Sequence, residues 1–288
     1  MILAIITPSY NQGNYIEQTI RSVLNQKGDF AIEYIIVDGG SSDNTVQIIK
    51  QYDELLNDGR WKIQCNGIDY KWLSEKDRGQ SDAINKGFRL AKGDVGTWLN
   101  SDDYFLNDGV FQSVVNYFTE NPELSLVVGN GKLVSHEGLE LGDYATAEIN
   151  VRELLYLDWH INQPSAFFRL ECWENHPIEV NFRYCMDADF FLSILCSQRK
   201  WLKVPEFWSA FRFYPENKTC SGGKTRLKEQ NAIMRKYADS TMCHWFGCFY
   251  RWIDIVYYGT NRSSRTRYEV YKKLRAASYE IILGKQRP

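Results

Sequence analysis

Apolar and polar positions follow two alternating rhythms along the first half of the chain. Ile2 to Thr7 is a short apolar run stopped by Pro8, the pattern of a buried strand. Ile16, Ile20, Val23 and Leu24 then recur at helical spacing. The β-branched run Tyr34 to Val37 predicts a second strand ending at Asp38-Gly39-Gly40, and a helix carrying Val46, Ile48 and Ile49 begins near Asp43. Tyr70 to Leu73 predicts a strand, followed by the turn Glu75 to Gly79 and a helix with Ala83, Ile84, Phe88 and Leu90. Val95 to Leu99 is a strand that ends at Asn100-Ser101-Asp102-Asp103. A helix from about Gly109 to Phe118 and a strand from Leu124 to Val128 complete the series.

Such alternation predicts an α/β fold with a mostly parallel sheet flanked by helices. Ligands of these sheets bind off the carboxyl ends of the strands. Thr7-Pro8-Ser9, Asp38 to Ser41 and Ser101-Asp102-Asp103 all fall at such ends, so the topology gathers groups that are distant in sequence. The second half is less regular. Gln163 to Phe168 reads as a loop entering a strand, and Met186 to Leu195 as the start of a helix. Glu216 to Thr225, with Lys218 and Gly222-Gly223, reads as a mobile loop. Two helices are expected after Trp245, one with a stripe of Trp245, Phe249, Trp252, Ile253 and Val256, the other with Tyr271, Leu274, Ile281 and Ile282.

Composition narrows the class. A chain of 288 residues with 44% apolar content can bury a sizeable core. A net charge of -2 argues against a nucleic-acid partner. The seven cysteines are scattered, odd in number and without a CxxC pair, which speaks against a disulfide framework or zinc site and for a reducing cytoplasm. The N-terminal apolar run is too short for a signal peptide, and no stretch reaches the roughly 18 apolar residues that cross a bilayer. The four histidines show no metal spacing.

Several clusters carry chemistry, each beside a plainer explanation. Asp102 and Asp103 are adjacent carboxylates at a strand end, whose repulsion a hard cation such as Mg2+ or Mn2+ would relieve; a turn with a helix N-cap explains the same residues. Asp38 could accept hydrogen bonds from a base or ribose, with Gly40 allowing close backbone approach, while Asp43 simply caps the next helix. The segment has neither GxGxxG nor GxxxxGK[ST], which excludes a dinucleotide fingerprint and a P-loop. Glu75, Asp77, Arg78, Gly79 and Asp82 crowd one strand-to-helix junction, where Arg78 could neutralise a diphosphate; a solvated helix start is the alternative. Asp187 and Asp189, two apart, would point to different faces of a helix, one free to act as a general base and the other to cap or pair.

These pieces, in order, resemble the inverting glycosyltransferases of family 2, which have the GT-A fold. The matching segments are Ile6-Thr7-Pro8-Ser9-Tyr10-Asn11, Glu17 to Gln26, Ile36 to Thr45, Ser74 to Gly87, and Trp98-Leu99-Asn100-Ser101-Asp102-Asp103. The likeness is strong to about residue 130, looser to about 230 and absent beyond. It implies a nucleotide-sugar donor, most often a UDP-sugar, held by Thr7, Pro8, Ser9, Tyr10, Asp38, Gly40, Glu75, Asp77, Arg78, Gly79, Asp82, Ser101 and Asp102. It implies Mn2+ or Mg2+ on Asp103, with Asp102 nearer the ribose. Asp187 would be the catalytic base, with Asp189 in reserve; Gln163 would face the acceptor and the Lys218 loop would close on the diphosphate. The acceptor would be a hydroxyl of a glycan or lipid-linked glycan in bacterial surface polysaccharide assembly. Residues 1–238 are expected to form the GT-A domain, with 1–130 binding the donor and 131–238 on the acceptor side. Residues 239–288 form a basic, aromatic, helical extension, suited to peripheral membrane association at the inner face of the plasma membrane, to packing on the domain, or to a homodimer contact. A sugar nucleotidyltransferase is the first rival, but the Pro8 to Gly13 loop does not suit a triphosphate; a nucleotide-sugar-binding module without a base is the second.

Overall fold

The computed structural model describes every residue except 146, 147, 158, 216, 219–222, 239–244, 246, 253–272, 275, 276, 278, 279, 281 and 283–288. The chain divides into two compact units, Met1–Ala147 with Ile161–Cys220, and Glu148–His160 with Ser221–Pro288.

The first unit is built on β1 (Ile2–Ser9), β2 (Ala31–Asp38), β3 (Gly67–Ser74) and β4 (Val95–Trp98), with α1 (Ile16–Leu24), α2 (Thr45–Asn57) and α3 (Gln80–Leu90) between them. The chain continues through β5 (Tyr104–Phe105), α4 (Val110–Glu120), β6 (Leu124–Val134) and β7 (Glu140–Tyr144). After residue 160 come a 3-10 turn at Gln163–Ser165, β8 (Ala166–Arg169), α6 (Leu170–Asn175), α7 (Met186–Leu195) and β9 (Lys200–Arg212). The second unit contributes α5 (Val151–Tyr156) and α8 (Gly223–Tyr237). The sheet order is β3-β2-β1-β4-β8-β6-β9-β5, with β7 on β6. Pairing is parallel from β3 to β4, and β8 joins antiparallel on both sides. The predicted alternation is therefore that of the parallel half; beyond it the pairings mix, with β8 antiparallel to β6 and β9 parallel to β6 but antiparallel to β5.

Side chains of β1 alternate between two buried faces. Leu3 and Ile5 join Ile32, Tyr34 and Ile36 of β2 against Ile16, Ile20 and Val23 of α1 and Phe111, Val114 and Phe118 of α4. The opposite face holds an aromatic wall: Trp98 stacks on Phe191 of α7 at 5.4 Å, and Phe168 of β8 meets Phe190 at 4.7 Å. Each such side chain contributes about 1.5–3 kcal/mol on full burial. Helix α3 lies close on β1 because residue 87 is glycine: a Cβ there would come within 2.4 Å of Ile6 Cγ2.

Asp43 is expected to cap α2, but the N-cap is Asn44, which makes no side-chain capping bond; Asp43, one residue earlier, accepts from the amide of the first helical residue, Thr45, at 3.0 Å. The expected loop at 216–225 lies partly outside the described residues, and α8 already begins at Gly223. Most of the expected second tail helix also lies outside them, while Trp245 and 247–252 are helical. Gly87→Val should destabilise the fold by about 2 kcal/mol through overpacking against Ile6, read as a lowered urea midpoint with unchanged slope.

Candidate active site

β1 to β4 run parallel, so their carboxyl ends share one rim, where the register sets Ser9 beside Asp38 and Asp38 beside Ser74. Asp38 is wholly buried. Its Oδ2 accepts from Gly40 N (3.0 Å), Ser41 N (2.9 Å) and Ser74 Oγ (2.6 Å), and its Oδ1 from Ser41 Oγ (2.5 Å). The carboxylate expected to meet a base or ribose thus holds the turn that follows β2, with Gly40 at φ 84°. Asp77 closes on the same turn: a Cβ on Gly39 would fall 2.7 Å from Asp77 Oδ2. Thr7 Oγ1 is spent on Tyr34 OH at 3.2 Å. Ser9 Oγ, by contrast, is buried without a hydrogen-bond partner among the described residues, and Tyr10 is exposed.

At the α3 start, Asp82 is buried and accepts from Arg78 Nη2 at 3.1 Å, which holds its carboxyl below the usual range. Lys86 Nζ bonds Glu75 at 2.6 Å. The Arg78 side chain keeps 74% of its surface exposed, so it remains open to an anionic ligand.

The acidic turn after β4 is clamped from two sides. Thr19 Oγ1 of α1 lies 2.9 Å from Ser101 O and 2.7 Å from Asp103 O. Arg212, at the end of β9, is 2% exposed. Its guanidinium donates to Asp102 O (2.9 Å), Ser135 O (3.1 Å), His136 O (2.7 Å) and Gln18 Oε1 (2.7 Å), and lies 4.8 Å from the Tyr15 ring centre. Asp103, expected to be the direct metal ligand, is sequestered. It is 1% exposed, and its oxygens accept from Arg212 N at 2.9 Å and Asn100 Nδ2 at 3.2 Å. Asp102 is only half-buried and accepts from Tyr214 OH at 2.8 Å. Burial pushes the Asp102 carboxyl up, and burial with the Asp102 charge pushes Asp103 well up. Among the described residues no cluster of three or more His, Cys, Asp or Glu groups could hold an ion unaided. Mg2+ needs only one or two carboxylates with substrate phosphates, and Asp102 fits that requirement.

From this turn a run of amides spreads across the rim. Asn100 Oδ1 accepts from Gln80 Nε2 at 2.6 Å, and Lys218 Nζ donates to Gln80 Oε1 at 2.8 Å. Gln163 Nε2 donates to Trp98 O at 2.6 Å, and its Oε1 lies 3.5 Å from Asn100 Nδ2. Gln163, Lys218, Gln80 and the acidic turn are therefore gathered around Asn100.

The model of the family described as Glycosyl transferase family 2 matches residues 4–168, more than half of the chain. The chain belongs to glycosyl transferase family 2. It is 30% identical over 164 residues to the poly(ribitol-phosphate) beta-N-acetylglucosaminyltransferase TarP of Staphylococcus aureus, covering 54% of this chain and 46% of TarP. The crystal structure of S. aureus TarS 1-349 in complex with UDP-GlcNAc aligns over 98% of this chain and 82% of that one, with TM-score 0.63 and 15% identity. The mannosyltransferase PcManGT from Pyrobaculum calidifontis, in complex with GDP-Man and Mn2+, aligns over 98% and 81%, with TM-score 0.59 and 12% identity. These structures establish the expected GT-A fold. The chain spans between a third and about half of the length of the curated relatives it matches.

In this family 2 chain α7 carries the remaining acidic candidates. Its start rests on α3, where Ser81 Oγ lies 2.8 Å from Met186 Sδ and 3.1 Å from Phe182 O. Asp187 and Asp189 face apart, as their spacing predicts. Asp187 is half-buried, whereas Asp189 is 0% exposed and pairs with His176 Nε2 at 3.1 Å. Sequence reasoning missed Asn100, Arg212, Tyr214 and Thr19. Asn100 adjoins the acidic pair and was within reach of inspection; the others act from elements distant in sequence.

Arg212→Met removes the guanidinium from the Asp102 and His136 carbonyls, while Ser135 O keeps Gly138 N at 3.0 Å, and should cost about 3 kcal/mol, with a matching fall in melting temperature. Arg212→Lys should recover little of it, because an ammonium cannot span the same fork of acceptors.

Proposed function

We propose that this chain is an inverting glycosyltransferase that moves a sugar from a UDP-sugar to a hydroxyl of a glycan acceptor, in bacterial surface-glycan assembly. The observation that carries the proposal is the convergence, in a family 2 chain, of the Asp102 turn, the Asn100-centred amides and the Asp187 end of α7 around α3. The TarS complex with UDP-GlcNAc supports the donor class, the name of TarP a cell-wall polymer acceptor, and PcManGT a divalent cation.

Each group receives a role from its surroundings. The buried, unpartnered Ser9 Oγ and the exposed Tyr10 contact the nucleoside, and Arg78 with Lys218 faces the diphosphate. Asp38 and Asp77 support the pocket by fixing its turns. Asp102, rather than the sequestered Asp103, takes the cation, and Asp103 fixes the turn. A bound Mg2+ or Mn2+ would supply charge neutralisation to the leaving diphosphate. The acceptor oxygen attacks the anomeric carbon while the bond to the diphosphate oxygen breaks, and the nucleoside diphosphate leaves with that electron pair. The acceptor proton passes to the Asp187 carboxylate. Asp189, held by His176, anchors the helix that presents Asp187.

Asp187→Asn should lower turnover by about 10²–10⁴-fold while calorimetric UDP binding stays near normal; transfer at the normal rate would remove Asp187 from this role. Asp102→Ala should abolish the stimulation of UDP binding by Mn2+. Inversion predicts a product of opposite anomeric configuration to the donor, read by the proton coupling constant.

A further inference from the structure

The second unit carries an exposed aromatic surface to which the proposed transfer assigns no role. The helical run at 247–252 has two faces. Gly247 and Tyr250 lie inward, and a Cβ on Gly247 would sit 3.0 Å from Met234 Sδ of α8 and 3.1 Å from Tyr156 Cδ1 of α5. That close approach, together with the Arg251 Nη2 bond to Leu155 O at 3.0 Å, docks one side of the helix. The other side carries Trp245, Phe249 and Trp252, spaced four and three residues apart so that they share a stripe. They are 71%, 41% and 56% exposed, and Phe249 and Trp252 stack at 6.0 Å.

Large aromatic side chains bury more area than any others when covered, so a stripe of three left in water calls for a partner. The sequence around it indicates which. From Gly223 to the end there are 14 Lys and Arg against 5 Asp and Glu, although the whole chain has a net charge of -2. A second copy would bring the same cationic segment against itself. A bilayer with anionic headgroups complements it, and tryptophan suits the boundary between headgroup and acyl chain. Among the described residues no helix is long and apolar enough to cross a membrane.

We propose that the Trp245–Phe249–Trp252 face docks on an anionic lipid bilayer. This rests on neither the donor nor the base assigned above, and it stands or falls separately from them. The test is flotation of the full chain with vesicles of phosphatidylcholine alone and of phosphatidylcholine with phosphatidylglycerol. The expected result is recovery about tenfold greater with the anionic vesicles and falling as salt screens the attraction. Trp245→Ser, Phe249→Ser and Trp252→Ser combined should lose that recovery without lowering the melting temperature, since the three side chains are exposed. The proposal is overturned if the wild-type chain does not float with anionic vesicles, or if the triple variant floats equally well. It is also overturned if the wild-type chain is a dimer that the triple variant converts to a monomer with vesicle recovery unchanged, because a second copy would then be what covers the stripe.

Discussion

The site depends on a buried guanidinium gripping an acidic turn. Arg212 binds the carbonyl of Asp102 through its side chain and the carboxylate of Asp103 through its backbone, and it reaches across to α1 at Gln18. Two adjacent carboxylates repel each other, and burial makes the repulsion costlier. A nearby positive charge and a hydroxyl from Thr19 hold the turn where it would otherwise open. Asn100, bound on one side to Asp103 and on the other to Gln80, transmits that fixed position along the rim. Ordered amides and carboxylates on rigid strand ends are what a nucleotide pocket needs.

The sheet explains how so few contacts suffice. Its parallel half lines up the ends of β1, β2, β3 and β4, and the antiparallel entry of β8 lets later segments return to the same edge. The aromatic wall of Trp98, Phe168, Phe190 and Phe191 fills the space below α7. Packing at that density leaves little freedom for the helix end, so core residues fix where Asp187 sits.

The parallel half was legible from periodicity, because β1 and β2 are strongly apolar, β2 broken only by the buried Glu33 before its terminal Asp38, and α1 to α3 keep helical spacing. β9 was not: Lys200–Arg212 mixes lysines, Pro205 and aromatics, and its shape comes from pairing with β6. The candidate site was legible as residue types at strand ends. The division of labour within it was not, since whether an aspartate is spent internally depends on partners far away in sequence. Asp38 takes a hydroxyl from Ser74, and Asp103 takes a backbone amide from Arg212. Both are aspartates at strand ends, and nothing local separates them from the more open Asp102.

The contact between Gly39 and Asp77 ties two turns that belong to different strands. The space a methyl group at 39 would need is already filled by a carboxylate oxygen at 2.7 Å. Drift at either position is thus conditional on the other. A side chain at 39 would need the Asp77 carboxylate to swing aside, loosening its bond from the Gly79 amide at 2.8 Å. The two turns are therefore coupled through one carboxylate.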